Sequence, residues 1–310
     1  MNLALVRGAV FAAAALLPAM AFAQAETEPN DTKATANTFT LPAVSTPGVI
    51  VGNSISGTGA GLDYFRVTTA AQATPGFYRH RLIVTTTGTA GHIATIRGLT
   101  QTGGVPNAGT DSTFQTSSAA TTPPRYVQWY TSQAPGELFV RLAGVAATTA
   151  DYSLDYDVQP VTEVAGPGSV TQGTIVITAV GQGHTTDTDL WIYDSNRAAI
   201  PGFGNDDTLG PPTSLQSTLT RDYTPGTYYM AISNFQLANN LGSPPDDNFL
   251  TGIVMDFPGV VANSSTTINL NLATSIGGTP TPATKASQFE VVFVSYTVVV
   301  PVELTGFTIE

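Results

Sequence analysis

Short apolar segments separated by turn residues are the feature that most restricts the fold of this chain. Within them apolar and polar residues tend to alternate, which is the period of a half-buried β-strand. Glycine, proline, asparagine and aspartate fill the intervals, where they favour turns. Nine such segments occur, at residues 82–85, 126–130, 138–142, 152–156, 174–177, 190–193, 228–232, 267–272 and 289–294. They predict an all-β fold built from antiparallel, jelly-roll-like sandwiches.

Other fold classes do not suit the sequence. After residue 23 it lacks the long Glu, Lys, Ala and Leu stretches at helical spacing that a helical bundle needs. It also lacks the alternation of strand and helix patterns that predicts a parallel sheet. Hydrophobic residues make up 42% of the chain, which is well above the content of disordered proteins.

An internal repeat divides the chain into two halves. Three strand patterns recur in the same order, and the matched pairs are 83–85 with 175–178, 95–96 with 190–192, and 136–142 with 226–232. Each half then closes on a further strand, at 152–158 and at 289–299. We therefore expect two sandwich domains, 24–160 and 161–299, joined through the Pro- and Gly-containing segment 159–168 and able to fold independently.

Both ends of the chain differ from these domains. Arg7 precedes the apolar segment 9–17, and Ala21-Phe22-Ala23 has the pattern of a signal-peptidase site. Residues 1–23 are therefore predicted to be a cleaved signal peptide, and the protein to be secreted or held at the cell surface. No later stretch has the roughly 18 apolar residues that a membrane span needs. The tail 300–310 is either a sorting sequence or an extra edge strand.

Charge and cysteine content exclude several function classes. The formal net charge is −11 and there are only two lysines, so the clustered positive charge that binds nucleic acid is missing. The chain has no cysteine, which excludes disulfides, Cys-ligated metals and a Cys nucleophile.

Catalytic motifs are also missing from the sequence. It contains neither a His-Glu-x-x-His nor a Gly-x-Ser-x-Gly pattern. His80 and His92 flank a strand in a Thr-rich context, which favours surface or edge positions. We therefore expect a protein that is not an enzyme.

The first acidic cluster follows the predicted cleavage site directly. Glu26, Glu28, Asn30 and Asp31 supply four oxygen-bearing side chains within six residues. The first three alternate, so in an extended chain they point the same way. Together with one distant carboxylate they could hold Ca²⁺, which takes six to eight oxygen ligands. A solvated N-terminus is the alternative.

The second acidic cluster surrounds the strand at 190–193. Asp187 and Asp189 precede this strand, Asp194 follows it, and Asn205, Asp206 and Asp207 come after the next turn. If the two strands pair as a hairpin, these loops meet, and the gathered carboxylates would repel one another without a cation. A second Ca²⁺ site is one interpretation, and turn formation by Asp and Asn is the other.

The opening segments resemble the bacterial pre-peptidase C-terminal domain family. The resemblance lies in Glu26-Thr27-Glu28-Pro29-Asn30-Asp31, in Gly52-Asn53-Ser54-Ile55-Ser56-Gly57 and in Leu62-Asp63-Tyr64-Phe65. The second half is similar to the family's later strands, through the segments 187–194, 205–207 and 225–232. Family members are extracellular β-sandwich modules attached to secreted peptidases. In collagen-binding relatives the opening segment ligates calcium, which implies Glu26, Glu28, Asn30 and Asp31 here, with Asp63 as a fifth ligand.

Three functions remain open on the sequence alone. The first is an extracellular binding or accessory module that contacts a protein or polysaccharide surface and is stabilised by Ca²⁺. The second is a surface-layer or filament subunit that associates with itself by β-strand addition. The third is a hydrolase with an unrecognised site.

Overall fold

The computed structural model describes only part of the chain. The described residues are 24–43, 54–57, 62–86, 92–96, 115–116, 125–144, 151–183, 188–205, 215–233, 237–238, 259–260, 268–270, 273–274, 283–285 and 290–301. The signal-peptide prediction at 1–23 and nearly all of the tail lie outside them. No helix in the described ranges has the length and apolar character needed to cross a bilayer.

The described part of the chain is all β, which confirms the predicted fold class. The strands of the first half are β1 (Gln24–Ala25), β2 (Asn37–Leu41), β3 (Ser54–Gly57), β4 (Leu62–Thr69), β5 (Tyr78–Thr86), β6 (His92–Ile96), β7 (Gln115–Thr116), β8 (Arg125–Thr131), β9 (Glu137–Gly144) and β10 (Tyr152–Pro160).

The second half continues the same pattern of short strands. They are β11 (Val164–Thr171), β12 (Gly173–Thr178), β13 (Asp189–Tyr193), β14 (Ala199–Asn205), β15 (Thr218–Tyr223), β16 (Gly226–Ser233), β17 (Leu237–Ala238), β18 (Gly259–Val260), β19 (Ile268–Leu270), β20 (Ala273–Thr274), β21 (Ala283–Lys285) and β22 (Val292–Val299).

Four sheets pair into two sandwiches. Sheet I has the order β2-β4-β9-β6-β7 and sheet II the order β1-β3-β10-β5-β8-β18-β17. Sheet III has the order β11-β22-β16-β13-β14 and sheet IV the order β15-β12-β20, while β19 and β21 form a separate ribbon. The sheets are mainly antiparallel, but β1, β2 and β11 pair in parallel with their neighbours.

Period-two alternation places one face of each sheet in a core. In β4 every second residue from Asp63 to Thr69 is buried. Sheets I and II bury residues such as Phe65, Leu142, Trp129 and Leu154 between them. Sheets III and IV enclose a second core of the same kind. Each half of the chain therefore has a core of its own, although the short strands β17 and β18 of the second half extend sheet II.

A third buried cluster joins the two sandwiches. It contains Phe77, Tyr130, Trp191, Tyr193, Tyr229, Ala231, Val291 and Phe293, and we call it the interface cluster. The Phe77 ring stacks on Phe293 with a centroid separation of 3.9 Å. The guanidinium of Arg197 lies 4.4 Å from the Tyr229 ring centroid and is ion-paired to Glu163. Phe77 and Tyr130 of the first sandwich therefore pack against side chains of sheet III.

The connection between the sandwiches is shorter than the sequence indicated. Strand β10 continues to Pro160 and β11 begins at Val164, so only residues 161–163 lie between them. The Val161 N–H donates to the Phe77 carbonyl at 2.8 Å. The segment 159–168 is therefore mostly strand, and it lies beside the interface cluster, to which Phe77 belongs. Because residues of both halves are buried together in that cluster, we expect the halves to unfold together.

The repeat is present in the sheets, but its closing strands are not equivalent. β9 lies between β4 and β6, and its counterpart β16 lies between β22 and β13. In the first half the closing strand β10 pairs with β5. In the second half β22 pairs with β16 instead, and the short β20 pairs with β12. The strands that close the two halves therefore have different neighbours, because β10 pairs with the counterpart of β12 and β22 pairs with the counterpart of β9.

Candidate metal centre

Three carboxylates converge at one end of the first sandwich. Oxygen atoms of Glu26, Glu28 and Asp63 all lie within 4.8 Å of one another. The two glutamates directly follow β1, the edge strand of sheet II. Asp63 lies in β4 on the face that also carries the buried Phe65 and Val67. The structure thus brings together residues that are more than thirty positions apart in the sequence.

Asn37 holds the acidic segment against the sandwich. Its Oδ1 accepts a hydrogen bond from the Thr27 N–H at 2.6 Å, and its Nδ2 donates to the Thr27 carbonyl at 2.9 Å. Farther along, the Tyr64 N–H donates to the Asn30 carbonyl at 2.8 Å. These bonds hold the backbone between Glu26 and Asn30 beside β4. The positions of the acidic side chains in this segment are therefore fixed by the fold.

Tyr152 connects two of the carboxylates. Its hydroxyl is 2.5 Å from Glu26 Oε2 and 2.8 Å from Asp63 Oδ2. A phenol has a single hydrogen and can donate it to only one of these oxygens at a time. Burial, reinforced by hydrogen bonds to the two carboxylates, raises the pKa of Tyr152 far above its usual value. The phenol therefore stays protonated and acts as a donor.

The electrostatics of the cluster disfavour an ionised Asp63 when no cation is bound. Burial is the main cause that raises the pKa of Asp63 to about 6, and the charges of Glu26, Glu28 and Asp31 add to it. The hydrogen bond from Tyr152 acts in the opposite direction. Asp31 is exposed, but its charge is close enough to affect Asp63. Three carboxylates therefore share one site with a fourth negative charge nearby, and their repulsion favours either a proton or a cation there.

Two buried oxygens in this site have no hydrogen-bond partner. They are Asn30 Oδ1 and Asp63 Oδ1, and both residues are at most 1% exposed. The amide nitrogen of Asn30 donates to Asn37 Oδ1 at 3.3 Å, so the amide oxygen is left for another partner. An unsatisfied buried acceptor is costly, and a hard cation bound by oxygen ligands would satisfy both atoms. The residues present therefore fit Ca²⁺.

The second acidic cluster is only partly described. β13 and β14 pair as the expected hairpin, with Leu190 opposite Asn205. Asp189 and Asn205 consequently lie at the same end of the hairpin, and both are buried. The Asn205 Oδ1 accepts from the Thr218 N–H at 2.6 Å. Asp187, Asp206 and Asp207 lie outside the described residues, so a second cation site stays a prediction.

Asp194 does not belong to that cluster. It lies at the opposite end of the hairpin, in the turn that joins β13 to β14. Its Oδ1 accepts from the backbone N–H groups of Asn196 and Ala198 at 2.8 and 2.9 Å. Aspartate commonly accepts such hydrogen bonds in turns. In this turn Arg197 has the left-handed backbone conformation, with a φ of 62°. The expectation that Asp194 joins Asp189 and Asn205 as a ligand is not supported by these positions.

Sequence reasoning missed Tyr152 and Asn37. Tyr152 begins β10, the strand of sheet II that pairs with both β3 and β5. Nothing in the local sequence indicates that this strand brings a phenol to the segment after β1, because that proximity depends on the strand order. Asn37 starts β2 in a Thr- and Ala-rich segment, where an asparagine is an ordinary residue.

Compared with known proteins, the sequence matches no protein-family model and no curated protein significantly. The resemblance to the pre-peptidase C-terminal domain family therefore stays a prediction that rests on the quoted segments.

Proposed function

We propose that this chain is an exported, non-catalytic β-sandwich protein, stabilised by Ca²⁺ in its first sandwich, that binds an extracellular protein or polysaccharide surface. The observation that carries the calcium part is the convergence of Glu26, Glu28 and Asp63 around two unpartnered buried oxygens. The extracellular part rests on the signal-peptide pattern and on the family resemblance.

A cation in this site would join three parts of the first sandwich. Glu26, Glu28 and Asn30 come from the segment after β1, and Asp63 comes from sheet I. Tyr152, which contacts two of these carboxylates, comes from sheet II. The remaining positions of a six- to eight-coordinate ion would be filled by Asp31, backbone oxygens or water. Bound Ca²⁺ would neutralise the carboxylates and fasten the N-terminal segment to both sheets.

A site with weak affinity would be sufficient to bind Ca²⁺ outside the cell. Extracellular modules bind Ca²⁺ with dissociation constants on the order of 10⁻⁴–10⁻³ M. Binding to the folded state alone stabilises a protein by RT ln(1 + [L]/Kd), which is about 1.4 kcal/mol at a tenfold excess over Kd. The melting temperature of this protein is therefore expected to rise with Ca²⁺ concentration.

Asp63→Asn should change stability in opposite directions with and without calcium. In chelator at pH 7 the variant is expected to be more stable than the wild type. The reason is that the raised pKa makes the Asp63 carboxylate unfavourable in the folded state above about pH 6. In millimolar Ca²⁺ it should be less stable, because it lacks a ligand. Thermal unfolding of both proteins in both buffers measures the crossover.

Asp155→Asn is the matched control, because Asp155 lies on the same strand as Tyr152 but is absent from the carboxylate cluster. It should keep the full response to Ca²⁺. Equal melting temperatures of the wild type in Ca²⁺ and in chelator would refute the proposed site. An equal rise with Mg²⁺ would indicate general charge screening.

The binding role is tested separately from the calcium site. The purified protein is applied to an array of glycans and matrix proteins, and its native mass is measured. A discrete particle that binds a defined class of surface supports the module. An open-ended polymer would contradict it and favour the filament subunit. Turnover of a substrate in a broad hydrolase screen, abolished by a single substitution, would contradict the absence of catalysis.

A further inference from the structure

The outer face of sheet I, which is turned away from the first core, carries positive charge in an acidic protein. Residues that alternate with the core residues of this sheet point outward, and Arg66 of β4 and Arg141 of β9 hold such positions. Lys33 lies over the same face, with Nζ 5.2 Å from the Phe139 ring centroid. Glu137 is the one carboxylate at the outward positions of the described strands of sheet I. The whole chain has 22 acidic and 11 basic residues, so this local excess of cations runs against its overall charge.

Arg141 has no partner among the described residues. Its Nε is buried and makes no hydrogen bond, whereas Arg66 places Nε and Nη2 at 2.9 and 2.8 Å from Glu137. The other arginines with described side chains are also engaged: Arg79 and Arg197 with carboxylates, Arg81 with Gln128, and Arg221 with two backbone carbonyls.

The missing acceptor at Arg141 points to an anionic ligand. A charged donor that is held partly buried without an acceptor is costly. A guanidinium also binds a carboxylate through two parallel hydrogen bonds, a geometry that a lysine does not offer. Arg141 is partly exposed, so a ligand can reach its terminal nitrogens. A ligand carboxylate would therefore supply the acceptor that the fold does not.

Hydroxyl groups lie beside the arginines of this face. Tyr64 is directly opposite Arg141 on the neighbouring strand β4, and Thr38 is directly opposite Arg66 on β2. Neighbouring strands are about 4.8 Å apart, so each guanidinium stem has a hydroxyl-bearing side chain next to it. Thr38 and Thr40 are exposed. Because hydroxyls both donate and accept hydrogen bonds, they suit the hydroxyl groups of a sugar.

A protein partner suits this face less well than a polysaccharide. Protein interfaces are centred on aromatic or other apolar residues that the partner buries. Phe139, which lies across from Arg66, is already only 1% exposed. The exposed Leu62 lies at the first position of β4, away from the centre of the face. Charges and hydroxyls therefore dominate the surface that a ligand would contact.

We propose that the outer face of sheet I binds a polysaccharide that carries carboxylates. The inference rests on the proposed extracellular binding role and names the class of surface. Arg141 pairs with a uronate carboxylate, Arg66 and Lys33 add long-range attraction, and Tyr64 and Thr38 bind sugar hydroxyls. A few cations spread over a sheet suit a polymer with one carboxylate per disaccharide better than a densely sulfated one.

Isothermal titration calorimetry of the purified protein with hyaluronan oligosaccharides tests the proposal. Hyaluronan has one carboxylate per disaccharide, and its carboxyl-reduced form keeps the hydroxyls but loses the charge. The reduced form should bind at least about tenfold more weakly, which is the usual cost of losing a hydrogen bond to a charged group. Arg141→Gln should weaken hyaluronan binding by a similar factor. It should also keep the wild-type melting temperature, because Arg141 has no partner to lose.

Two further variants separate this face from general charge effects. Arg221→Gln is the matched control, because Arg221 lies in the second sandwich and donates to the Gly202 and Thr220 carbonyls. It should leave hyaluronan binding unchanged. Glu137→Gln removes the carboxylate that competes for Arg66 and should strengthen binding, a gain that a purely structural role of this face would not produce.

Several results would overturn the proposal. They are the absence of detectable heat with hyaluronan at millimolar disaccharide, undiminished binding to Arg141→Gln, and equal or tighter binding of keratan sulfate, which carries sulfate but no uronate. A native mass that rises with concentration in the wild type but not in Arg141→Gln would assign the face to a second copy of this chain instead. Binding to another surface that Arg141→Gln leaves unchanged would refute this inference alone, whereas binding to no surface would refute the binding role as well.

Discussion

Phe293→Ala is expected to destabilise the whole protein by about 3–5 kcal/mol, the usual cost of truncating a fully buried phenylalanine. Phe293 is 0% exposed and stacks on Phe77 of the first sandwich. Its ring also contacts those of Tyr130 and Tyr193. Because the interface cluster joins sheets II and III, the loss should affect both sandwiches together. Chemical denaturation followed by tryptophan fluorescence measures it, with Trp129 reporting the first core and Trp191 the interface.

Val299→Ala is the control for this change. Val299 lies on the same strand as Phe293 but is 37% exposed, and surface substitutions usually change stability by less than about 0.5 kcal/mol. A double-mutant cycle between Phe77 and Phe293 should give a coupling of about 0.5–1.5 kcal/mol for the aromatic pair. Two separate unfolding transitions, with the first unaffected by Phe293→Ala, would show that the halves fold independently.

Stability is expected to fall by about 1.4 kcal/mol per pH unit as the pH drops below 6.5, because of His80 alone. Burial lowers the pKa of His80 to about 3 from its ordinary value of 6.5. Between these values the unfolded chain binds a proton that the folded chain does not, so unfolding becomes easier with acid. The cumulative loss at pH 4.5 is about 3 kcal/mol.

The surroundings of His80 explain this behaviour. Nδ1 is 2.6 Å from the Tyr156 hydroxyl and Nε2 is 2.8 Å from Thr131 Oγ1, and the ring stacks on Trp129. Both ring nitrogens are paired, but no carboxylate is among these partners to stabilise an imidazolium. His80→Gln should be less stable than the wild type at pH 8, and its stability should fall less steeply between pH 6.5 and 5. Parallel pH dependences of the two proteins would contradict this account.

The strands could be predicted because the alternation of apolar and polar residues can be recognised within a few consecutive residues. The pattern around 82–85 identifies β5, in which buried and partly exposed residues alternate. The pattern around 138–142 identifies β9, although Phe139 is buried as well as Leu138 and Val140. The sequence of β13 also indicates that both faces of this strand are covered. Its five residues Asp189–Tyr193 are all buried, with Leu190 and Ile192 in the second core and Trp191 and Tyr193 in the interface cluster. An apolar run without alternation indicates a strand covered on both faces.

Positions that depend on the packing of layers were not predictable. His80 and His92 were expected at the surface because Thr-rich flanks suggest exposure, but both are at most 1% exposed. His80 alternates with Tyr78 and Leu82 on the core face of β5, so its position in the strand decides its burial. Likewise, the two prolines and two glycines of 159–168 suggested a linker, although proline is compatible with a strand end such as that of β10.

Some residues of the candidate metal centre could be identified from the sequence, but its geometry could not. The acidic segment was identified from its spacing and Asp63 from the family resemblance, and the structure brings Glu26, Glu28 and Asp63 together. The contact with Tyr152 needed the strand order of sheet II. The glycine at position 204 also depends on packing that the sequence does not show. A Cβ atom there would overlap the indole ring of Trp191.

Calorimetric titration of Ca²⁺ into the purified, chelator-treated protein tests the central claim most directly. The account predicts saturable binding, with one equivalent fewer in Asp63→Asn than in the wild type and no change in Asp155→Asn. Any further equivalent that Asp63→Asn retains would be assigned to the second acidic cluster. A wild-type protein that binds no Ca²⁺, or an Asp63→Asn variant that binds as many equivalents as the wild type, would contradict the account.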